Sequence, residues 1–238
     1  MSTHTAGAAP TRREQILKEA ARLFADRGFH GVGVDEIGAA VGISGPGLYR
    51  HFPGKDAMLA ELLVGISSRL LTGGRRRVAE TAGPAGDVLD SLIEGHIDFA
   101  LHDRALITLH DRELDRLRES DRKLVRQFQR QYVELWVEIV RRVHARLTEA
   151  EARACVHAVF GLLNSTPHLD RPGALPGRGA MAALLHRLAR GAFAAAAEPG
   201  PPSDALASGA LPPGARSADA GPSDAGPTGA GPGPRAGA

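Results

Sequence analysis

"GISGPGLYRHFPGKDAM", residues 42–58, interrupts a chain otherwise written largely in Ala, Leu, Arg and Glu. Glycines at 42, 45, 47 and 54 and prolines at 46 and 53 surround the polar and aromatic run Leu48, Tyr49, Arg50, His51, Phe52. Glycine tolerates left-handed backbone, serine caps helices, and proline fits a first helical turn. The stretch therefore predicts a tight turn at Gly42-Ile43-Ser44, a short helix over 45–52 capped by Ser44, and a break at Pro53-Gly54.

The flanks are periodic. Ile16, Leu17, Ala20, Ala21, Leu23 and Phe24 recur at helical spacing between Thr11 and Arg27, with Thr11 and Glu14 set as a capping box and Gly28 as the stop. A second short helix fits Asp35 to Val41. A longer one fits Lys55 to Leu71, with Gly73-Gly74 expected to end or bend it. Beyond Pro84, Val88, Leu89, Leu92, Ile93, His96, Ile97 and Ala100 form one stripe, and Arg104 to Leu114 a brief helix. A long central helix is expected along Leu117, Leu124, Phe128, Leu135, Ile139, Val143 and Leu147, flanked by Tyr132, Trp136 and Val140. Thr148 and Glu151 form a second capping box before a helix holding Cys155, Val156 and Val159, and a last helix follows around Met181 to Leu188. No period-two strand pattern and no repeat is evident, so the fold class is all-α with about nine helices.

Helix, short helix, glycine turn, short helix is the shape of a helix-turn-helix. Ile37, Val41, Ile43 and Leu48 supply the small core that would fix the angle between its helices. Here the stretch "GFHGVGVDEIGAAVGISGPGLYRHFPGKDAML" resembles the DNA-binding signature of the TetR (tetracycline-repressor) family of transcriptional regulators, through Gly28-Phe29, Val34, Ile37, Ala40, Gly42-Ile43-Ser44, Leu48-Tyr49, His51-Phe52, Lys55 and Leu59. The resemblance covers residues 11 to about 60. It implies an N-terminal DNA-binding domain followed by a helical domain for effector binding and dimerisation. Carried over position by position, it implies that Ser44, Tyr49, His51 and Lys55 hold phosphates while Gly45, Pro46, Gly47 and Arg50 face the bases. Arg50 is the candidate for direct readout, because a guanidinium fork matches guanine O6 and N7. Three positions depart from the family pattern: Gly33 where Ser or Thr is usual, Gly45 where a polar or basic residue is common, and Gly38 for alanine. Fewer side chains are left to read bases, which shifts weight to DNA shape.

Composition narrows the classes. The 238 residues carry a net charge of only +2, so DNA contact must come from local placement rather than from a polybasic surface. Only Lys18, Lys55 and Lys123 are lysines, and arginine abundance is weak evidence by itself. The lone Cys155 excludes an intrachain disulfide and a multi-cysteine zinc site. No cofactor or metal is expected: His96, His102, His110, His144 and His157 lack ligand spacing, and "Gly31-Val-Gly33" lacks the third glycine of a dinucleotide loop. No nucleophile elbow, P-loop or paired acids point to an enzyme. No long apolar run and no signal core is evident, which predicts a cytoplasmic protein. The Arg75-Arg76-Arg77 run reads as solvated surface.

The expected organisation is a flexible arm over 1–9, the helix-turn-helix domain over 10–56, the effector and dimerisation domain over 57–197, and a disordered Ala/Gly/Pro-rich tail over 198–238. Apolar residues with polar anchors, His96, Phe99, His110, Tyr132 and Trp136, are the candidates for an effector cavity. Val156, Val159, Phe160, Leu163, Met181, Leu184, Leu185 and Leu188 are the candidates for a homodimer interface, with intrachain core as the competing role. The partners expected are double-stranded operator DNA, a second copy of the chain, and a small apolar effector. The stretch running into "AMLAELLVGISSRLL" is similar to actinobacterial members concerned with acyl-CoA or fatty-acid metabolism. The function expected is a ligand-responsive repressor released from its operator, with an activator or a helical interaction module without DNA binding as alternatives.

Overall fold

In the computed structural model, residues 9–168 and 176–198 are described. Residues 1–8 of the expected arm and 199–238 of the expected tail lie outside them. The described residues form helices joined by turns, with no strand among them.

Helix α1 (Arg12–Arg27) starts on the anticipated capping box: Thr11 accepts from the Glu14 amide while the Glu14 carboxylate returns to the Thr11 N–H at 2.7 Å. Gly28, at φ 76°, ends it. Helix α2 (Val34–Ala40) begins on Gly33, where the missing hydroxyl leaves half a capping box, with Glu36 accepting from the Gly33 N–H at 2.7 Å. Gly42, at φ 72°, makes the predicted left-handed turn into α3 (Gly45–Tyr49), which is shorter than the sequence suggests. Gly38 is required as glycine, because a Cβ there would stand 2.8 Å from the Ile43 carbonyl oxygen. That close approach accounts for the departure from alanine.

Helix α4 (Lys55–Glu80) does not stop at Gly73-Gly74. A Cβ on Gly74 would lie 2.8 Å from the Tyr132 ring, so this glycine lets α4 lie close against the central helix instead of ending it. By length and composition α4 could cross a membrane. Its apolar residues are instead packed inside the protein, with Met58, Leu59 and Leu63 fully buried.

The remaining helices are α5 (Ala85–His102), α6 (Arg104–Glu113), α7 (Glu119–Val143), α8 (Glu149–Leu163) and α9 (Arg178–Ala197). Thr148 and Glu151 cap α8 reciprocally, as their spacing predicts. The buried face of α7 combines part of the expected stripe with its expected flank: Val125, Tyr132, Val133, Trp136, Val137, Ile139 and Val140 are buried, as are Leu117 and Leu147 beyond its ends, whereas Leu124, Phe128, Leu135 and Val143 are half-buried. With apolar groups on two adjoining stripes, packing by α4, α5 and α8 decides which residues form the seam.

Two apolar clusters result. One joins α1–α3 to the first half of α4 and to Leu106, Leu109, Leu117 and Val125. The other joins the second half of α4 to α5, α7, α8 and α9 around Trp136. Leu70 packs against both. The expected division at residue 56 is therefore crossed by continuous packing, since Met58, Leu59, Leu62 and Leu63 belong to the core of the N-terminal helices.

Candidate nucleic-acid interface and effector cavity

The N-terminal head is built so that α3 presents one face to solvent. Leu48 and Phe52 are buried and anchor the helix from beneath, while Ser44, Pro46, Tyr49 and Arg50 are exposed, Tyr49 by 57%. Gly45, Gly47 and His51 are half-buried. Ser44 accepts from the Gly47 amide at 3.3 Å and so caps a helix of only five residues. Gly45 sits against Asp35, and a Cβ there would collide with that carboxylate. The Asp35 side chain is exposed and would have to turn aside for a larger residue at 45.

Three basic side chains tie the head together. Arg12 donates to the Val41 carbonyl at 2.9 Å. Arg13 pairs with Glu61 of α4, donates to the His51 carbonyl, and lies 4.1 Å over the Phe52 ring. The Lys55 ammonium is turned inward, donating to the carbonyls of Phe29 at 2.9 Å and Val32 at 3.1 Å, and stands 4.6 Å over the Phe29 ring. The Lys55 ammonium thus holds the α1–α2 turn, while its backbone stands at the start of α4.

The helical body holds a partly open cavity of about 260 Å³ between α4, α5, α6, α7 and α8. His96, Phe99, His110 and Tyr132 line it, together with Ile66, Ile107, Gln129, Phe160 and Asn164. Trp136 does not reach the surface of the cavity. It is fully buried behind it, edge-on to Phe160 at 5.1 Å and to His96 at 6.0 Å. Phe160 stacks on His96 at 4.6 Å with planes 7° apart.

The polar end of the cavity is neutral. The His96 Nε2–H donates to Asn164 Oδ1 at 3.1 Å, and the Tyr132 hydroxyl donates to His96 Nδ1 at 3.3 Å, a single consistent assignment of the protons. Burial holds the His96 imidazole down to about 4, the bond to Asn164 opposing only in part, and burial raises the Tyr132 phenol above its ordinary value. Among the described residues no lysine or arginine lines this cavity, and Asp111 at its rim is 3.4 Å from His110. Among the described residues no cluster of metal ligands occurs.

The expected dimer residues are distributed differently. Val156, Val159, Leu163, Met181 and Leu185 are buried in this chain's own core, because α8 and α9 turn their larger side chains onto α5 and α7. Phe160 belongs to the cavity wall. Of the eight, Leu188 at 46% exposure and the half-buried Leu184 remain on the outer face of α9. Sequence reasoning missed Phe160 and Asn164 as cavity residues, although their i, i+4 spacing places both on the side of α8 that carries Val156.

Residues 16–62 match the bacterial regulatory proteins of the tetR family, and residues 82–168 match the tetracyclin repressor-like C-terminal domain. The HTH-type transcriptional repressor KstR2 of Mycobacterium tuberculosis is 30% identical over 138 residues, spanning 58% of this chain and 68% of the relative.

The chain belongs to the TetR family of bacterial regulatory proteins.

DNA-binding regulation of transcription comes with that membership. The HTH-type transcriptional activator FasR of Mycolicibacterium smegmatis is 36% identical over 92 residues, 39% of this chain, and the match spans only 42% of FasR. Among solved structures, AibR in complex with isovaleryl coenzyme A and operator DNA superposes with a TM-score of 0.62, at 20% identity, over 75% of this chain and 97% of AibR. At that identity the likeness concerns the fold of the family: a helix-turn-helix head on an all-helical body.

Proposed function

We propose that the protein is a homodimeric, cytoplasmic repressor whose α3 enters the major groove of operator DNA and which leaves the operator when a small, largely apolar effector fills the cavity. The exposed face of a five-residue helix, locked from behind by Leu48 and Phe52, is the observation that carries the reading. Arg50 is the residue for base readout, and Ser44, Tyr49 and His51 are those for phosphates, with Gly45, Pro46 and Gly47 admitting the backbone close to the bases. The contribution of Lys55 is through its position at the start of α4, its ammonium being engaged elsewhere. Residues 10–56 form the DNA-binding unit and 57–197 the effector-binding and dimerisation unit, with the α8–α9 outer face around Leu184 and Leu188 the seat of the second copy. Two heads of one dimer must reach successive grooves roughly 34–36 Å apart, so a change in their separation alters affinity.

Repression is favoured over activation by KstR2, whose match covers more of both chains than that of FasR. An acyl thioester is a supported effector class, given the apolar cavity and the isovaleryl coenzyme A held by AibR. The test is fluorescence anisotropy of the full-length protein on DNA from upstream of its own gene and on shuffled duplex of equal length. Preferential binding to the former, lost in Arg50→Ala with the dimer intact by light scattering, supports the reading. Equal affinity for both duplexes at moderate salt overturns it.

A further inference from the structure

The Arg75-Arg76-Arg77 run, which composition alone reads as solvated surface, is divided by the helix that carries it. Arg75 turns toward α7 and donates to Gln131 at 3.0 Å. Arg76 and Arg77 face the other way, into a groove of about 290 Å³ between α4 and α5 that also holds Arg69. Arg77 is drawn into that groove because α5 has glycine at 95, where a Cβ would collide with the guanidinium. It donates to Ser91 at 3.3 Å and lies 3.7 Å from Asp98. The other ion pairs of the groove are also long: Arg69 to Asp103 at 3.8 Å and Arg76 to Glu80 at 3.9 Å. Pairs at such distances hold their guanidinium groups weakly, with Arg69 and Arg76 exposed and Arg77 half-buried. Their donors are available to an anion that offers better geometry.

The groove and the cavity are neighbours. Ile66, Leu70, Phe99 and Tyr132 line both. The inner chamber is mostly apolar in surface, ends in the neutral His96–Tyr132–Asn164 set, and among the described residues has no lysine or arginine to receive a negative group. A negative group on a molecule whose body lies in the chamber finds guanidinium donors on the side where the chamber adjoins the groove.

We infer that chamber and groove form one bipartite site for an amphiphilic anion, whose apolar body occupies the chamber while its carboxylate or phosphate rests on Arg69, Arg76 and Arg77. This rests on the effector-responsive reading above and specifies its ligand class. At roughly 30 Å³ per water-sized group the chamber takes about nine such groups, so decyl chains are suitable probes.

Trp136, the one tryptophan of the sequence, lies 6.0 Å from Tyr132 and reports occupancy by its fluorescence. Full-length protein is titrated at neutral pH with decanoate, decyl phosphate and decanol. Saturable changes with both anions at concentrations at least tenfold below decanol are expected, and the ratio of the two tells carboxylate from phosphate. Arg77→Gln is expected to erase that advantage and Arg75→Gln to retain it. Arg69→Gln, at a side chain 65% exposed, makes the same test should Arg77→Gln fold poorly. Decanol matching the anions, Arg75→Gln losing as much as the groove variants, or no saturable change with any probe overturns the inference. Anisotropy on promoter DNA in the same samples separates the two readings. Anion-selective binding by a protein that never prefers that DNA sinks the regulator and spares the site. Release of DNA by decanol and decanoate alike sinks the site and spares the regulator.

Discussion

The Phe29 backbone N–H faces the Glu113 carboxylate at 3.4 Å, joining positions 84 residues apart. The same carboxylate pairs with Arg116 and is only 7% exposed, while the Phe29 carbonyl receives the Lys55 ammonium. One residue of the α1–α2 turn is thus gripped by α6 through its N–H and by α4 through its C=O. Helix α6 also supplies Ile107 and His110 to the cavity wall, so a single element touches both the head and the cavity.

Removing that grip should be costly. Glu113→Ala leaves a buried amide and Arg116 without their acceptor, a loss of about 1–3 kcal/mol in unfolding free energy, read from the urea midpoint. Glu113→Gln keeps an acceptor for Phe29 and should retain most of the stability. Equal loss in both variants would show that charge, and not the bond to Phe29, holds the turn.

Burial of His96 gives the protein an acid limit. Its folded value near 4 lies below the ordinary 6.5, so the unfolded chain binds more protons between the two. Stability therefore rises with pH across that window and falls as pH is lowered through it, by about 2 kcal/mol from pH 7 to pH 5. His144, held below its ordinary value by partial burial and then by Arg190, adds in the same direction. Glu14, Glu36 and Glu151 are held low chiefly by capping hydrogen bonds and contribute stability that is lost only at more acidic pH. Urea midpoints at pH 7 and pH 5 check this, with His96→Leu flattening the difference. An unchanged slope in that variant would assign the acid limit to other groups.

Gly73 and Gly74 are adjacent and should respond oppositely to alanine. A Cβ at Gly73 meets nothing within 4 Å, so Gly73→Ala gains roughly 0.5–1 kcal/mol of helix stability. A Cβ at Gly74 meets Tyr132 at 2.8 Å and Leu135 at 2.9 Å, so Gly74→Ala overpacks the α4–α7 seam at about 1–3 kcal/mol. Thermal denaturation of the two variants beside the parent decides the sign of each.

That pair also shows where sequence reading ends. Thr11, Ser44 and Thr148 announced three helix starts because a cap acts over three residues and is written locally. Gly42 announced its turn for the same reason. Gly74 has the same local signature as a helix stop, and only the approach of Tyr132, 58 positions away, makes it a packing glycine. Likewise Val156 and Leu185 are as apolar as a dimer interface requires, and nothing local says that α5 and α7 cover them. The inward turn of Lys55 depends on where the Phe29 and Val32 carbonyls end up, which is a tertiary fact. His96, Phe99, His110 and Tyr132 were legible because rings and imidazoles on apolar helix stripes are conspicuous, whereas Trp136, though equally conspicuous, is filled in behind them.

The cap of α3 offers a separation of folding from DNA binding. Ser44 is exposed, and its hydroxyl satisfies the Gly47 amide at the end of the helix proposed to meet DNA. Ser44→Ala removes the cap and should cost about 1 kcal/mol of stability together with DNA affinity. Ser44→Asp keeps an acceptor at the cap position, and its charge suits a helix N-terminus, so the fold should be as stable as the parent. Its carboxylate would face phosphates, however, and affinity for promoter DNA should fall at least tenfold, with the deficit shrinking as salt screens the repulsion. Anisotropy across a salt series, beside thermal melts of both variants, reads the two effects apart. Parent-like DNA affinity in a stably folded Ser44→Asp would place the phosphates away from this end of α3.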